Sequence, residues 1–179
     1  LLDCYTLRER RGALDGMRIA IVGDIRHSRV ARSDVLAFTA LGAEVTLVAP
    51  ATLLPPAVFG WPVTVAYELD PVLSEMDAVY LLRIQHERIT EGLIPSIREY
   101  ANDFGLTAER ANRLPADALI LHPGPTNPGV EISAAAAADS RSVILDQVVN
   151  GVSVRMAILF LLLGSNRNLT GGDPAVGDR

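Results

Sequence analysis

Arg26, His27, Ser28 and Arg29 stand between an apolar run, Ile19–Val22, and an apolar-periodic stretch that begins near Val30. The Gly23-Asp24 pair turns the chain between them. Two arginines, a histidine and a serine at a helix start suit an anion. The free N–H groups and partial positive charge of a helix N-terminus favour the same ligand. Arg29 is placed to grip a carboxylate or phosphate with two parallel hydrogen bonds, although a purely structural arginine there is the competing reading. A second cluster runs from Arg83 to Arg88, with Gln85 two residues beyond Arg83 and on the same side of an extended chain. Arginine and glutamine together hold a carboxylate by charge and amide hydrogen bond. The alternative for Arg83 is a surface ion pair with Glu87. A third cluster is His122-Pro123-Gly124-Pro125, a rigid turn in which glycine admits a ligand close to the backbone. His27 and His122 are candidates for acid/base work, against the commoner structural role of a loop histidine.

These clusters need a scaffold. Arg18–Val22, Glu44–Val48, Val63–Ala66, Asp77–Leu82 and Ala118–Leu121 read as strands. Leu1–Arg11, Val30–Leu41, Pro95–Phe104 and Ala108–Arg113 read as helices, alanine-rich 134–138 leads into a long helix at about Ser142–Leu163, and Pro71–Met76 reads as a brief one. Gly42 follows the second helix where a left-handed cap belongs. Strands that are apolar throughout and alternate with helices predict an α/β fold. It is a three-layer, open, mostly parallel sheet of about five strands with helices on both faces. All three polar clusters then follow carboxyl ends of strands, where such sheets bind ligands.

Composition narrows the classes. Hydrophobic residues form 49% of the 179 residues, enough for a core, and aromatics only 5%. The net charge of −5 speaks against nucleic acid as a partner. All 16 basic residues are arginine, so no lysine serves as a base or Schiff-base nucleophile. The single cysteine, Cys4, is read as a packing residue, and no ligand spacing suggests a metal. No apolar run is read as reaching the roughly 18 residues of a membrane span, and no signal pattern opens the chain. A cytoplasmic location is the default expectation. Leu1 in place of Met leads us to expect a companion segment upstream. Residues 165–179 form a polar tail expected to be disordered.

The segments VGDIRHSRVARSD, LGAEVTLVAPATLLP, LLRIQHER, LHPGP and NGVSVRMAIL, in that order, resemble the carboxyl-terminal half of the aspartate carbamoyltransferase family. The resemblance covers residues 1–164 as one aspartate-binding domain. It implies transfer of the carbamoyl group of carbamoyl phosphate to L-aspartate, in pyrimidine biosynthesis, without a cofactor. It assigns Arg29 to the aspartate α-carboxylate, and Arg83 and Gln85 mainly to the β-carboxylate. Arg88 becomes a bridge to the other domain on closure. Pro123, Gly124 and Pro125 become the turn whose backbone meets the carbamoyl group, with a cis bond before Pro125. No catalytic residue is assigned to this half. The family's Ser-Thr-Arg-Thr phosphate loop and carbamoyl-phosphate domain are absent from these 179 residues, so by themselves they are expected to be inactive. The resemblance further implies a homotrimer, with a regulatory chain or dihydroorotase as conceivable partners. One departure stands out: Asn127-Pro128-Gly129 replaces the usual Asn-Arg-Gly and removes a cation.

Three other readings compete. An ornithine carbamoyltransferase-like domain would share the fold, but its Ser-Met-Gly and His-Cys-Leu-Pro motifs are missing. A dinucleotide-binding oxidoreductase domain lacks G-x-G-x-x-G at its first turn. A noncatalytic binding or scaffold module of the same fold is the third.

Overall fold

The computed structural model describes residues 1–84 and 92–164. Five parallel strands form one sheet: β1 (Arg18–Val22), β2 (Glu44–Val48), β3 (Thr64–Ala66), β4 (Ala78–Leu81) and β5 (Leu119–Leu121). Their spatial order is β3-β2-β1-β4-β5. Every residue of β4 and β5 is buried, and in β1 all but Arg18. Side chains alternate across a strand, so such complete burial requires cover on both faces. Register places Ile21 beside Leu47 on one side and Tyr80 on the other.

The helices are α1 (Leu2–Arg11), α2 (Arg29–Ala40), α3 (Ile97–Phe104), α4 (Ala108–Ala111), α5 (Ala134–Ala137) and α6 (Ile144–Gly164). Four of them start on a hydroxyl cap: Ser28, Ser96, Thr107 and Ser133 each accept a backbone N–H three residues on. The predicted starts at Val30 and Pro95 move to Arg29 and Ile97 because these caps fix the first turns. Pro71–Met76 is reduced to a single 3-10 turn, Leu73–Glu75. The predicted β4 loses one residue at each end. Asp77 there turns its carboxylate back to accept the Arg18 N–H at 2.8 Å.

Connections decide the faces. The β1-α2-β2 crossover runs towards β3, whereas β4 to β5 runs the other way through α3 and α4. Right-handed crossovers in opposite directions put α2 on one face and α3–α4 on the other. Helix α1 packs against α2 and α6. The buried stripe of α2 is Ala31, Val35 and Phe38, spaced for one helical face, with Asp34 among them. Gly42 ends the helix turn at φ 85°, and a side chain there would collide with Asp15 Oδ1 at 2.2 Å.

Helix α6 overturns one sequence expectation. By length and mean hydropathy (21 residues, 1.7) it is long and apolar enough to cross a membrane. Asp146, Gln147, Asn150 and Arg155 hid this by interrupting the apolar run. Gln147 and Asn150 also show what the first turns do. Gln147 Nε2 donates to Asp3 Oδ1 at 2.6 Å, and Asn150 Nδ2 donates to Thr6 Oγ1 and Glu9 Oε2 at 3.1 and 3.0 Å. Arg10 and Asp146 add an ion pair between the helices. Beyond Asn150 the apolar face, including Val152, Met156, Leu159 and Phe160, is exposed.

Between α1, α2 and β4 lie two buried acids. Asp3 also accepts the Tyr80 hydroxyl at 3.3 Å. Asp34 Oδ2 is buried without a hydrogen-bond partner. Burial, then the charge of Asp3, pushes the Asp34 carboxyl up to about 8. Burial likewise pushes the neighbouring Cys4 thiol up, as befits a packing residue.

The folded chain thus holds the Asp34 proton up to about pH 8, while the unfolded chain releases it near 3.8. Stability from this group is greatest at low pH and falls as pH rises between those values. Asp34→Asn removes the penalty. Urea titrations should find the variant more stable than the parent by roughly 1–3 kcal/mol near pH 8, with the gap closing towards about pH 4. A gap that does not change with pH would contradict this account.

Candidate functional site

The sheet reverses its winding between β1 and β4, and a crevice opens beyond their carboxyl ends. Asp24, His27, Ser28, Arg29, Leu82, Arg83, Pro123 and Gly124 line it; its volume is about 490 Å³. Segments 40 to 100 residues apart in sequence therefore share one cleft. A larger hollow, about 760 Å³, lies at the opposite end of the strands beside Arg18, Glu44 and Met76. It is flanked by strand starts and gathers no set of like charges, so size does not identify the site.

Each wall has a local cause. After β1, Gly23 takes φ 123°, and an added Cβ would lie 3.0 Å from the Tyr100 hydroxyl and 3.2 Å from Leu82 Cβ. The turn is tight because Leu82, just past β4, and Tyr100 of α3 fill the space. Asp24 is buried, and its Oδ1 meets His27 twice, at the backbone N–H (3.2 Å) and at ring Nδ1 (2.8 Å). His27 is thereby tied to its own turn. Ser28 accepts the Ala31 N–H at 3.0 Å, so its hydroxyl works as a cap.

Arg29, the first residue of α2, is exposed. Among the described residues it forms no ion pair, and neither does Arg83. A cation at a helix start opposes the dipole, and the first turn of α2 carries no acid to compensate it. Arg83 is exposed at the end of β4, while Ile84 after it is buried. That alternation keeps Arg83 at the cleft. Gln85 and Arg88 lie outside the described residues, as does the tail 165–179.

The third wall is built on His122, which is buried at 1% exposure. Gly124 N–H donates to its Nδ1 at 2.8 Å, so that nitrogen carries the lone pair and the ring proton sits on Nε2. Nε2–H donates to Glu131 Oε1 at 3.1 Å. Both ring nitrogens are therefore spent on structure, and the acid/base reading of His122 is set aside. The Gly124–Pro125 bond is cis, as expected, with Gly124 at φ 63°. Gln147 Oε1 accepts the His122 backbone N–H at 2.9 Å, connecting this turn to α6.

Glu131 was not singled out from sequence. It is buried and accepts the Asn127 backbone N–H at 2.5 Å and Asn127 Nδ2 at 3.3 Å. Asn127 Nδ2 also donates to the Ile84 carbonyl at 2.8 Å. Burial pushes the Glu131 carboxyl up, but hydrogen bonds from His122 and the Asn127 backbone outweigh it and hold it below its usual range. Pro128 and Gly129, at the departure from the usual Asn-Arg-Gly, shape the turn that returns the chain to Glu131; Gly129 N–H donates to the Ile132 carbonyl at 2.8 Å. Among the described residues no group of three or more His, Cys, Asp or Glu is arranged to hold a metal. The cleft's chemistry is that of two exposed guanidinium groups facing a rigid turn.

Comparison with known proteins adds an independent line. Residues 15–162 match the family described as Aspartate/ornithine carbamoyltransferase, Asp/Orn binding domain. The chain is 57% identical over 179 residues to the aspartate carbamoyltransferase catalytic subunit of Acidothermus cellulolyticus, covering all of this chain and 54% of that one. It is 58% identical over 164 residues to that of Thermobifida fusca, covering 92% and 52%. A solved aspartate transcarbamoylase from Trypanosoma cruzi, in complex with carbamoyl phosphate and aspartate, superposes with a TM-score of 0.73 at 27% identity. That match covers 89% of this chain and 54% of the other. The chain spans about half the length of the curated relatives it matches.

The crowding around Gly23 yields a direct test. Gly23→Ala should destabilise the chain by about 2–3 kcal/mol, from strained φ and the clash with Tyr100. Trimming the obstacle with Tyr100→Phe should recover part of that loss in thermal melts.

Proposed function

The chain belongs to the aspartate/ornithine carbamoyltransferase family, and from that premise we propose that it is the aspartate-binding half of an aspartate carbamoyltransferase. The observation that carries this reading is the gathering of Arg29, Arg83, Pro123 and Gly124 in one cleft at the winding reversal of the sheet. Two guanidinium groups facing one small cavity suit a dicarboxylate. Ornithine would bring a second ammonium towards them and be repelled, which agrees with the names borne by the curated relatives compared above.

In this reading Arg29 holds the α-carboxylate of aspartate, and Arg83, with Gln85, the β-carboxylate. The held aspartate presents its amine to the carbamoyl carbon. A C–N bond forms, the amine loses a proton, the C–O bond to phosphate breaks, and inorganic phosphate leaves. The backbone of Pro123, Gly124 and Pro125 meets the carbamoyl group. No covalent enzyme intermediate is required, since positioning and charge stabilisation supply the rate. This half orients aspartate; a carbamoyl-phosphate domain supplies the phosphate loop. The exposed apolar face of α6 supports such a companion, because a monomer rarely leaves so long a face uncovered. Gln147 and Asn150, engaged with α1, argue against lipid as the cover. We place the reaction in the cytoplasm and the intact enzyme as a homotrimer assembled mainly through the companion domain. Arg88 would bridge to that domain on closure.

Two outcomes check the proposal. The purified 179-residue chain, given both substrates at saturation, should form no carbamoyl aspartate; turnover above background would refute the division of labour. In the full-length enzyme, Arg29→Ala should raise the KM for aspartate roughly 10- to 100-fold while leaving carbamoyl phosphate affinity unchanged. Equal weakening of both ligands would sink the assignment.

A further inference from the structure

We propose that Glu131 is a positioning residue: one buried carboxylate that sets, through two separate arms, the turn facing the carbamoyl group and the strand end carrying Arg83. The proposal rests on the reading above and identifies what aligns its two halves.

The first arm runs through His122. Glu131 Oε1 accepts Nε2–H and so holds the ring in the orientation in which Nδ1 accepts the Gly124 N–H. The backbone of the Pro123–Pro125 turn is thereby anchored to a side chain that does not itself reach substrate. The second arm runs through Asn127. Glu131 Oε2 orients its amide, whose Nδ2 donates to the Ile84 carbonyl. Ile84 directly follows Arg83, so this bond fixes the chain from which the guanidinium projects. The aspartate side and the carbamoyl side therefore share one origin.

Glu131 is itself held independently of its carboxylate. Its backbone carbonyl accepts the Leu106 N–H at 3.0 Å, and the Ser133 N–H bonds the Leu106 carbonyl at 3.0 Å. Gly105 makes this approach feasible, since a side chain there would sit 2.5 Å from the Val130 carbonyl. Replacing the carboxylate should consequently leave the loop in place and disturb what it holds.

The two oxygens divide the labour. Oε1 receives His122 and the Asn127 backbone, whereas Oε2 receives the Asn127 amide. Glu131→Gln keeps an oxygen for the first pair but sets an NH2 against the Asn127 NH2. Either those donors repel, or the Asn127 amide turns over and Ile84 loses its donor. The variant should therefore strike the Arg83 arm alone.

The test is made in the full-length enzyme. Glu131→Gln should raise the aspartate KM about tenfold while carbamoyl phosphate affinity stays within about twofold. Adding Asn127→Ala to Glu131→Gln should cost no more than Asn127→Ala alone, since both act on one bond. Glu131→Ala, which removes both arms, should also lower kcat and shift the His122 Nε2–H signal in 15N spectra, since that proton loses its acceptor. An aspartate KM unchanged in Glu131→Gln, or equal losses for both substrates, overturns the proposal. Wild-type enzyme that forms no carbamoyl aspartate would instead defeat the functional reading. In that case the His122 spectrum still decides on Glu131, because an Nε2–H signal indifferent to Glu131→Ala overturns its role.

Discussion

The winding reversal between β1 and β4 is the constraint on which the other features depend. A parallel sheet buries its middle strands completely, so polar chemistry is driven to their ends. Neighbouring crossovers that leave in opposite directions keep helices from filling the gap between two of those ends. Gly23, Leu82 and the His122 turn meet there because the hydrogen-bonded ladder aligns β1, β4 and β5 in register. The cations at the cleft are affordable only at that rim, where water remains available until a ligand replaces it. Inside the sheet the same guanidinium groups would face an unpaid desolvation cost.

How much of this was legible in sequence follows from what each signal reports. Ile19–Val22 and Ala78–Leu81 declare themselves as apolar runs because both faces are covered. Arg29 was legible for the opposite reason, as a cation set against a helix dipole where a neutral cap would serve. The Pro123–Pro125 turn showed in its composition. Glu131 did not show. It is an acid in a Pro/Gly-rich loop, and only the backbone return at residues 127–132 makes it buried and shared. Nothing periodic marks such a residue. Gln147 and Asn150 did leave a trace, as polar residues three apart in a largely apolar helix. That trace registered only as a break in hydrophobicity, although it marks two of the points where α6 is fastened to α1. Asp34 left a similar trace, an acid on the apolar stripe of α2.

The polar contacts fall into two kinds. The Arg141 guanidinium binds Asp139 and the carbonyls of Ala111, Leu114 and Pro115, closing the loops on either side of β5. Its bonds hold the Asp139 carboxyl down to about 2. Glu131 is similarly satisfied. Asp34 is not, since burial leaves one oxygen without a partner. A chain that satisfies the acid beside its cleft and leaves strained the acid beneath α2 concentrates its order at the site.

Helix α6 has a mechanical side. At 1.5 Å per residue its 21 residues extend about 31 Å. It is fastened to α1 within its first two turns and projects from there as a lever. A tilt of about 10° would carry its tip roughly 4 Å while moving Gln147 by less than about 1 Å, given that rise. Gln147 is the fulcrum, and its carbonyl oxygen bonds the His122 N–H. Large displacements far from the cleft are thus geared down to small ones at the turn.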